Sequence, residues 1–377
     1  MLRSLESDRS RISHLETQIL DLQRAISALE TERDVTQARL DAYKYPVLTL
    51  PTEIVSEIFI HVLPPYPDCP PLMGLHSPNT LARICSKWRS IALSTPRLWR
   101  AIQLQYKNHA IPLFPQVQMF EVWTTRAASC PLSIYIDGAY PEFSSKAVKA
   151  VLAHGARIEY LKLHVTLSTT FTAALEESTP LLRGLELNFL TNITALKLDD
   201  APQLRTVVID GHIAFQGSLP WDKLTSLTLT HVHTINCYPI LRQTKNLVHC
   251  ELRYPSYLDT MTDPPEQDVV LPSLESLSLL GAGKAKNLLA ALVVPALDKL
   301  AVTEDLMGAQ PLDVLHSLIS KSQCQLQEVR IVYAFRRKIS QPKYRNEFPS
   351  LCFTFEDAYP DANPYSEDED SGSDFDL

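Results

Sequence analysis

Glycine is scarce in this sequence, with only 10 residues in 377, whereas proline occurs 27 times. Tight phosphate-binding loops depend on glycine, so this scarcity argues against a nucleotide enzyme. The sequence also lacks a Gly-x-x-x-x-Gly-Lys-Ser/Thr loop, a Gly-x-Ser-x-Gly elbow and a His-Glu-x-x-His pair. We therefore expect no catalytic residues and no cofactor, and an enzyme is the least favoured class of function.

Cysteine is too scattered to build a framework. The seven cysteines include no Cys-x-x-Cys pair, so they predict neither a disulfide scaffold nor a zinc cage. His231, His233 and Cys237 lie close in sequence but have no evident fourth ligand, and we expect no metal there. A signal peptide and an apolar run long enough to span a bilayer are also missing, which predicts a cytoplasmic or nuclear protein.

Charge is unevenly distributed along the chain. The formal net charge is −8, and from Glu356 onward there are nine acidic residues and no basic one. The rest of the chain is close to neutral, which favours neither nucleic acid nor a membrane as a partner. We expect residues 346–377 to form an acidic disordered tail.

Residues 1–45 carry a seven-residue repeat that predicts a long helix. Isoleucine dominates one seam row and leucine the other, an order that favours a parallel two-stranded coiled coil with Arg11 and Glu16 at flanking positions. Asp8, Arg33 and Thr36 interrupt the seam, so a long amphipathic helix that packs on its own chain stays an alternative to a homodimer through residues 5–43. The two rows are Leu5, Ile12, Ile19, Ile26, Arg33, Leu40 and Asp8, Leu15, Leu22, Leu29, Thr36, Tyr43.

Residues 46–104 predict a small helical domain. Proline is tolerated in the first turn of a helix, so Leu50-Pro51 indicates a helix start, with Ile54 and Ile58 on its apolar face. A proline-rich loop follows. Residues 81–92 then predict a second helix, with Leu81, Ile84, Cys85, Trp88 and Ile91 on one side.

This region resembles the F-box, and the matching residues occur in the order of the family's pattern. They are Leu50, Pro51, Glu53, Ile54, Ile58, Phe59, Ile84, Cys85, Trp88, Arg89, Leu98 and Trp99. The proline-rich loop is longer than the family pattern has. The resemblance implies that the domain docks on the Skp-type adaptor of a cullin-RING ubiquitin ligase, with Leu50, Pro51, Ile54 and Ile58 at the interface. Trp88 is expected to fill the domain's own core instead.

Residues 105–345 contain an irregular repeat of an aliphatic residue, two variable ones, an aliphatic, one variable and an aliphatic. The repeat recurs every 20 to 29 residues, which is the period of leucine-rich repeats. Its first residues are Ile158, Leu182, Leu204, Leu224, Leu247, Leu274, Leu297 and Leu326. Connectors with helical patterns lie between several repeats. The predicted fold class is α plus α/β: the N-terminal helix, the all-α F-box, and a curved solenoid with parallel strands.

Side chains alternate along a strand, so the residue between the last two aliphatics of each repeat should face the concave surface. We predict that a protein client binds there, because the row mixes both charges with polar groups. The candidate client-binding residues are Lys162, Glu186, Thr228, Glu251, Arg253 and Arg330.

The combined layout is similar to F-box proteins with degenerate repeats that are expanded in mushroom-forming fungi. It predicts a substrate-recognition subunit of a Skp-cullin-F-box ubiquitin ligase, with the adaptor, the cullin and an unknown protein client as partners. The alternative is a non-catalytic repeat scaffold that dimerises through its N-terminal helix and has no ligase role.

Overall fold

The structure is a computed structural model of the 377-residue chain. It describes residues 2–43, 46–105, 113–138, 141–165, 179–189, 198, 201–210, 218–231, 234–254, 267–281, 286–333 and 339–357. The chain divides into two compact units, Met1–Ile58 and Phe59–Leu377. None of the helices in these ranges combines the length and hydropathy that crossing a membrane requires.

The first unit begins with one long helix, α1 (Leu2–Ala42), as its heptad pattern and its lack of glycine and proline predict. Every residue from Leu5 to Tyr43 is exposed. A short 3-10 turn, Pro46–Thr49, follows. Helix α2 (Thr52–Val62) then starts directly after Pro51, with Glu53 in its first turn, where a negative charge stabilises the positive end of the helix dipole.

After the end of α2 and the proline-rich loop, the second unit contains two short helices where the sequence predicts one. They are α3 (Pro78–Ile84) and α4 (Ser86–Leu93). Cys85 between them is extended, and its Sγ accepts a hydrogen bond from the Trp88 N–H at 3.4 Å, which caps α4. The break corrects the predicted single helix: Ile84 is 57% exposed instead of sharing a buried side with Leu81.

A parallel sheet of eleven strands forms most of the second unit. The sheet contains, in spatial order, β1 (Ala101–Gln105), β2 (Leu132–Gly138), β3 (Ile158–Val165), β4 (Gly184–Phe189), β5 (Thr206–Asp210), β6 (Ser226–Thr230), β7 (His249–Tyr254), β9 (Ser276–Gly281), β11 (Lys299–Thr303), β12 (Glu328–Tyr333) and β13 (Cys352–Asp357). The short strands β8 (Val269–Val270) and β10 (Leu292–Val293) pair separately. Because each strand pairs with its neighbours in sequence order, apart from this small pair, the connections stay local.

The aliphatic residues of the repeat form two continuous buried rows across the sheet. The first row, from β3 to β12, is Leu161, Leu185, Val207, Leu227, Cys250, Leu277, Leu300 and Val329. Leu163 on β3 begins the second row, which ends at Ile331 on β12, and all these side chains are at most 3% exposed. Each strand therefore buries its apolar residues against the two beside it, although the repeats differ in length.

Helices lie in several of the connections between the strands. They are α5 (Leu113–Arg126), α6 (Pro141–Leu152), α7 (Thr234–Leu241), α8 (Lys286–Ala291), α9 (Pro311–Ser322) and α10 (Gln341–Glu347). Glu304 is buried near the last strands of the sheet. Its carboxylate accepts hydrogen bonds from the Tyr344 hydroxyl at 2.9 Å and the Ile339 N–H at 3.2 Å.

The predicted combination of a long N-terminal helix with parallel strands and helices is confirmed. The F-box and the solenoid stay predictions.

The sheet extends beyond both ends of the segment predicted for it. β1 pairs with β2 from Ala101 onward, inside the range 46–104 that we assigned to the helical domain. β13 pairs with β12 as far as Asp357, so residues 352–357 are not part of a disordered tail. Its Phe353, which is buried, and Phe355, which is partly buried, stand in register with the two aliphatic rows, and the aliphatic pattern did not detect them. Residues 358–377, the rest of the predicted tail, lie outside the described residues.

Replacing Gly281 by alanine should destabilise the sheet. Gly281 has a φ of +110°, and a Cβ there would lie 2.1 Å from the carbonyl oxygen of Tyr254 on the next strand. Gly74, with a φ of +101° and nothing within 4 Å of the added Cβ, provides the matched control. We expect Gly74→Ala to cost about 1–3 kcal/mol of unfolding free energy in urea titration, and Gly281→Ala to cost clearly more. Equal losses would contradict the backbone clash.

Candidate functional site

The start of α2 presents apolar side chains to solvent. Ile54 and Ile58, one helical turn apart, are 51% and 42% exposed, whereas Val55 beside them is 2% exposed. Pro51 is exposed and Leu50 is partly buried. The Val55 N–H donates to the Pro51 carbonyl at 3.1 Å, which fixes the helix start. The four residues predicted for the adaptor interface thus lie within about two helical turns, and three of them are exposed to solvent.

Residues further along the F-box-like pattern are internal to the second unit. Phe59 is fully buried and packs edge to face on Trp88, with ring centroids 4.9 Å apart. Trp99 is also fully buried, and its Nε1–H donates to the Ala92 carbonyl at 2.8 Å, which ties the end of α4 to the start of the sheet. Trp123 of α5 packs against the Trp99 ring at 5.5 Å. These aromatic residues therefore hold the helical pair to the sheet.

The predicted row of client-binding positions lies in register across one face of the sheet. The middle row consists of Gln103, Tyr135, Lys162, Glu186, Val208, Thr228, Glu251, Ser278, Ala301, Arg330 and Thr354. Each of its members from Lys162 to Arg330 is partly exposed, between two buried rows. Arg253 lies in the adjacent exposed row and pairs with Glu251.

Four charged or polar side chains form a cluster on strands β2 to β4. Lys162 Nζ lies 2.6 Å from Glu186 Oε1, and His164 Nε2 lies 3.0 Å from the same oxygen. Burial opposes ionisation of Glu186, but hydrogen bonds from His164 and Lys162 outweigh it and lower its pKa. Burial and the Asp137 carboxylate raise the pKa of Tyr135 to about 12, so its hydroxyl stays protonated and can donate to His164 Nδ1 at 3.3 Å.

The proline-rich loop is fixed against the same end of the sheet. The Tyr66 hydroxyl donates to the Glu159 carboxylate at 2.8 Å, and the Arg100 guanidinium lies 3.7 Å from the centre of the Tyr66 ring. The Ser133 hydroxyl donates to the Pro67 carbonyl. Cys69 Sγ lies 3.5 Å from the Ser133 carbonyl. These hydrogen bonds and the cation–π contact hold the proline-rich loop against the exposed face of the sheet.

A cavity of about 410 Å³ lies between this loop and the sheet. Pro67, Asp68 and Cys69 line one side, and the first five members of the middle row, from Gln103 to Val208, line the other. Tyr160 adds an aromatic wall because Gly184 has no side chain: a Cβ at Gly184 would lie 2.7 Å from Tyr160 Cδ1. The volume suits one or two amino-acid side chains of a bound chain.

The six predicted client-binding residues do not form one compact site. Lys162 and Glu186 line the cavity, but Thr228, Glu251 and Arg330 lie progressively further along the row. Seven strand intervals separate Lys162 from Arg330, which corresponds to about 34 Å. A surface of that length fits an extended polypeptide or a folded protein and not a small molecule.

Sequence reasoning missed the loop wall and the aromatic side of the cavity. Pro67, Cys69, Ser133 and Tyr160 carry no motif of their own. One available signal was the unusual length of the proline-rich loop. Gly184 gave a second signal, because a glycine inside a strand often marks a close approach.

Two of the three residues considered for metal binding lie among the described residues. His231 Nδ1 lies 2.7 Å from the Asp210 carboxylate, and Cys237 is buried. His233 lies outside the described residues. Among the residues that the structure does describe, no group of three or more histidine, cysteine and acidic side chains could hold a metal ion.

Neither of two comparisons identifies the chain. The sequence matches no model of a known protein family, and no curated protein matches it. The likeness to the F-box and to leucine-rich repeats therefore rests on the residues themselves.

Proposed function

We propose that this chain is a substrate receptor of a Skp-cullin-F-box ubiquitin ligase. The observation that carries the proposal is the exposed apolar start of α2, where Ile54 and Ile58 face solvent on a helix whose other side is buried. Exposed aliphatic residues at helical spacing, next to a Leu-Pro helix start, are the features that the F-box resemblance assigns to adaptor contact. An uncovered apolar patch on a helix favours a protein partner.

The exposed face of the sheet supports the second half of the proposal, a site for a protein client. From β3 to β6 the middle row contains a lysine, a glutamate, a valine and a threonine in turn, so it offers both charges and apolar contact. Such mixed chemistry suits a specific polypeptide better than a polyanion, which would favour uniform positive charge. In this arrangement the receptor raises the local concentration of client lysines near the ligase, and needs no chemistry of its own.

Charges on the apolar face of α2 should abolish adaptor binding. Both side chains are exposed, so Ile54→Asp with Ile58→Asp leaves the fold intact but places two carboxylates where the adaptor's apolar surface would lie. We expect at least a tenfold loss of affinity for a purified Skp-type adaptor, measured by titration calorimetry on the full chain.

Leu75→Asp provides the control for this variant, because Leu75 is also an exposed aliphatic residue but lies in the proline-rich loop. It should bind the adaptor as the wild type does. If the wild type fails to bind any Skp-type adaptor, or if the double variant binds unchanged, the ligase role is wrong and a scaffold role takes its place.

Client binding should be lost when bulk and charge are added to the middle row. Val208→Arg with Thr228→Arg changes two partly exposed neighbours on β5 and β6. Proximity labelling in cells should then lose a set of proteins that both the wild type and the Ile54→Asp/Ile58→Asp variant label. Those same proteins should accumulate when the α2 variant replaces the wild type. A labelling profile that the row variant does not alter would contradict this face as the client site.

A further inference from the structure

Helix α1 carries an apolar seam that is exposed to solvent. The seam residues Ile12, Leu15, Ile19, Leu22, Ile26 and Leu29 are all exposed. A helix of 41 residues is about 60 Å long, and helices in proteins gain most of their stability from packing of an apolar face. The spacing of isoleucine and leucine is that of a two-stranded coiled coil, so the occupant we consider is a second copy of α1.

The charged interruptions of the seam decide the orientation of the two copies. In a parallel pair, equivalent residues face each other, so Asp8 would meet Asp8 and Arg33 would meet Arg33. Like charges at seam positions oppose association. The order of isoleucine and leucine favours a parallel pair, but that arrangement places each charged seam residue opposite the same residue of the other copy. Among the flanking positions of a parallel pair, only Arg11 and Glu16 attract each other.

In an antiparallel pair, one register places the two charged interruptions, Asp8 and Arg33, opposite each other. When Ile19 lies opposite Leu22 of the second copy, Ile12 meets Leu29 and Ile26 meets Leu15, so the six aliphatic residues contact only each other. The same register places Arg33 opposite Asp8 of the second copy.

The flanking positions agree with this register. Arg9 then lies beside Glu30 of the second copy, and Arg11 lies beside Glu32. No like-charged flanking pair arises. Each exposed ion pair contributes little by itself, but each of the three pairs, Arg33–Asp8, Arg9–Glu30 and Arg11–Glu32, occurs twice in a symmetric dimer, and all of them are attractive.

We infer that the chain forms an antiparallel homodimer through α1, with Asp8 of each copy paired to Arg33 of the other. In the single chain, the Arg33 guanidinium pairs with the carboxylate of its neighbour Asp34 at 2.7 Å, through side chains that are 71% and 67% exposed. That contact is weak enough to be exchanged for the one with the second copy. This inference does not depend on a ligase role.

Two neighbouring residues test whether the seam dimerises. Ile19 and Leu20 are 54% and 47% exposed, but only Ile19 lies in the seam. Sedimentation equilibrium of the full chain should show a dimer for the wild type and for Leu20→Asp, and a monomer for Ile19→Asp. A monomeric wild type at tens of micromolar, or equal effects of the two substitutions, would overturn the dimer.

Charge exchange tests the orientation. Asp8→Arg alone and Arg33→Asp alone each create two like-charged contacts in the antiparallel dimer, and each should raise the dimer dissociation constant at least tenfold. The variant with both substitutions restores the opposite charges, so its dissociation constant should return to within about threefold of the wild type. In a parallel dimer the single variants merely replace one like-charged contact by another. Unchanged dimerisation of both single variants would therefore overturn the antiparallel arrangement.

Discussion

The parallel hydrogen-bond ladder of the sheet, with its two rows of buried aliphatic residues, is the constraint on which the rest of the second unit depends. No single strand and connector can bury its own apolar side, so each repeat is stable only between two others. This dependence fixes the register strand by strand. A shift of a single residue would expose Leu161 or Leu163 and bury Lys162. The alignment of the middle row into one continuous surface is a consequence of burying the rows on either side of it.

The core of the sheet could be read from the sequence because it uses one residue class at one spacing. The three strands that the pattern missed deviate at the first position of the motif, where Trp99, Pro131 and Ser350 stand in place of an aliphatic residue. β13 differs further by using phenylalanine at both inward positions. At one end of the sheet Trp99 contacts α4 and α5, and at the other end Tyr344 of α10 contacts Phe353, so larger side chains fill the contacts of the terminal strands. Terminal repeats are expected to be atypical for this reason.

The helical region and the cavity were less predictable, for two physical reasons. A helical pattern does not report a single extended residue, and Cys85 turns the chain there because its thiol caps the following helix. The cavity depends on contacts between residues far apart in the chain, such as Tyr66 with Glu159. No local pattern encodes such a contact. The middle row, by contrast, follows from alternation alone, which is why its members were identified while the loop that covers one end of it was not.

The attachment of the proline-rich loop to β2 and β3 has a consequence for how the chain is made. Tyr66 and its bond partner Glu159 are 93 positions apart, and the loop's contact with Ser133 spans 66. During synthesis the loop leaves the ribosome well before the strands that hold it. Until those strands emerge, the Tyr66 hydroxyl and the Pro67 carbonyl lack these hydrogen-bond partners and are left to water. The front of this molecule is thus completed late in translation, although it is translated early.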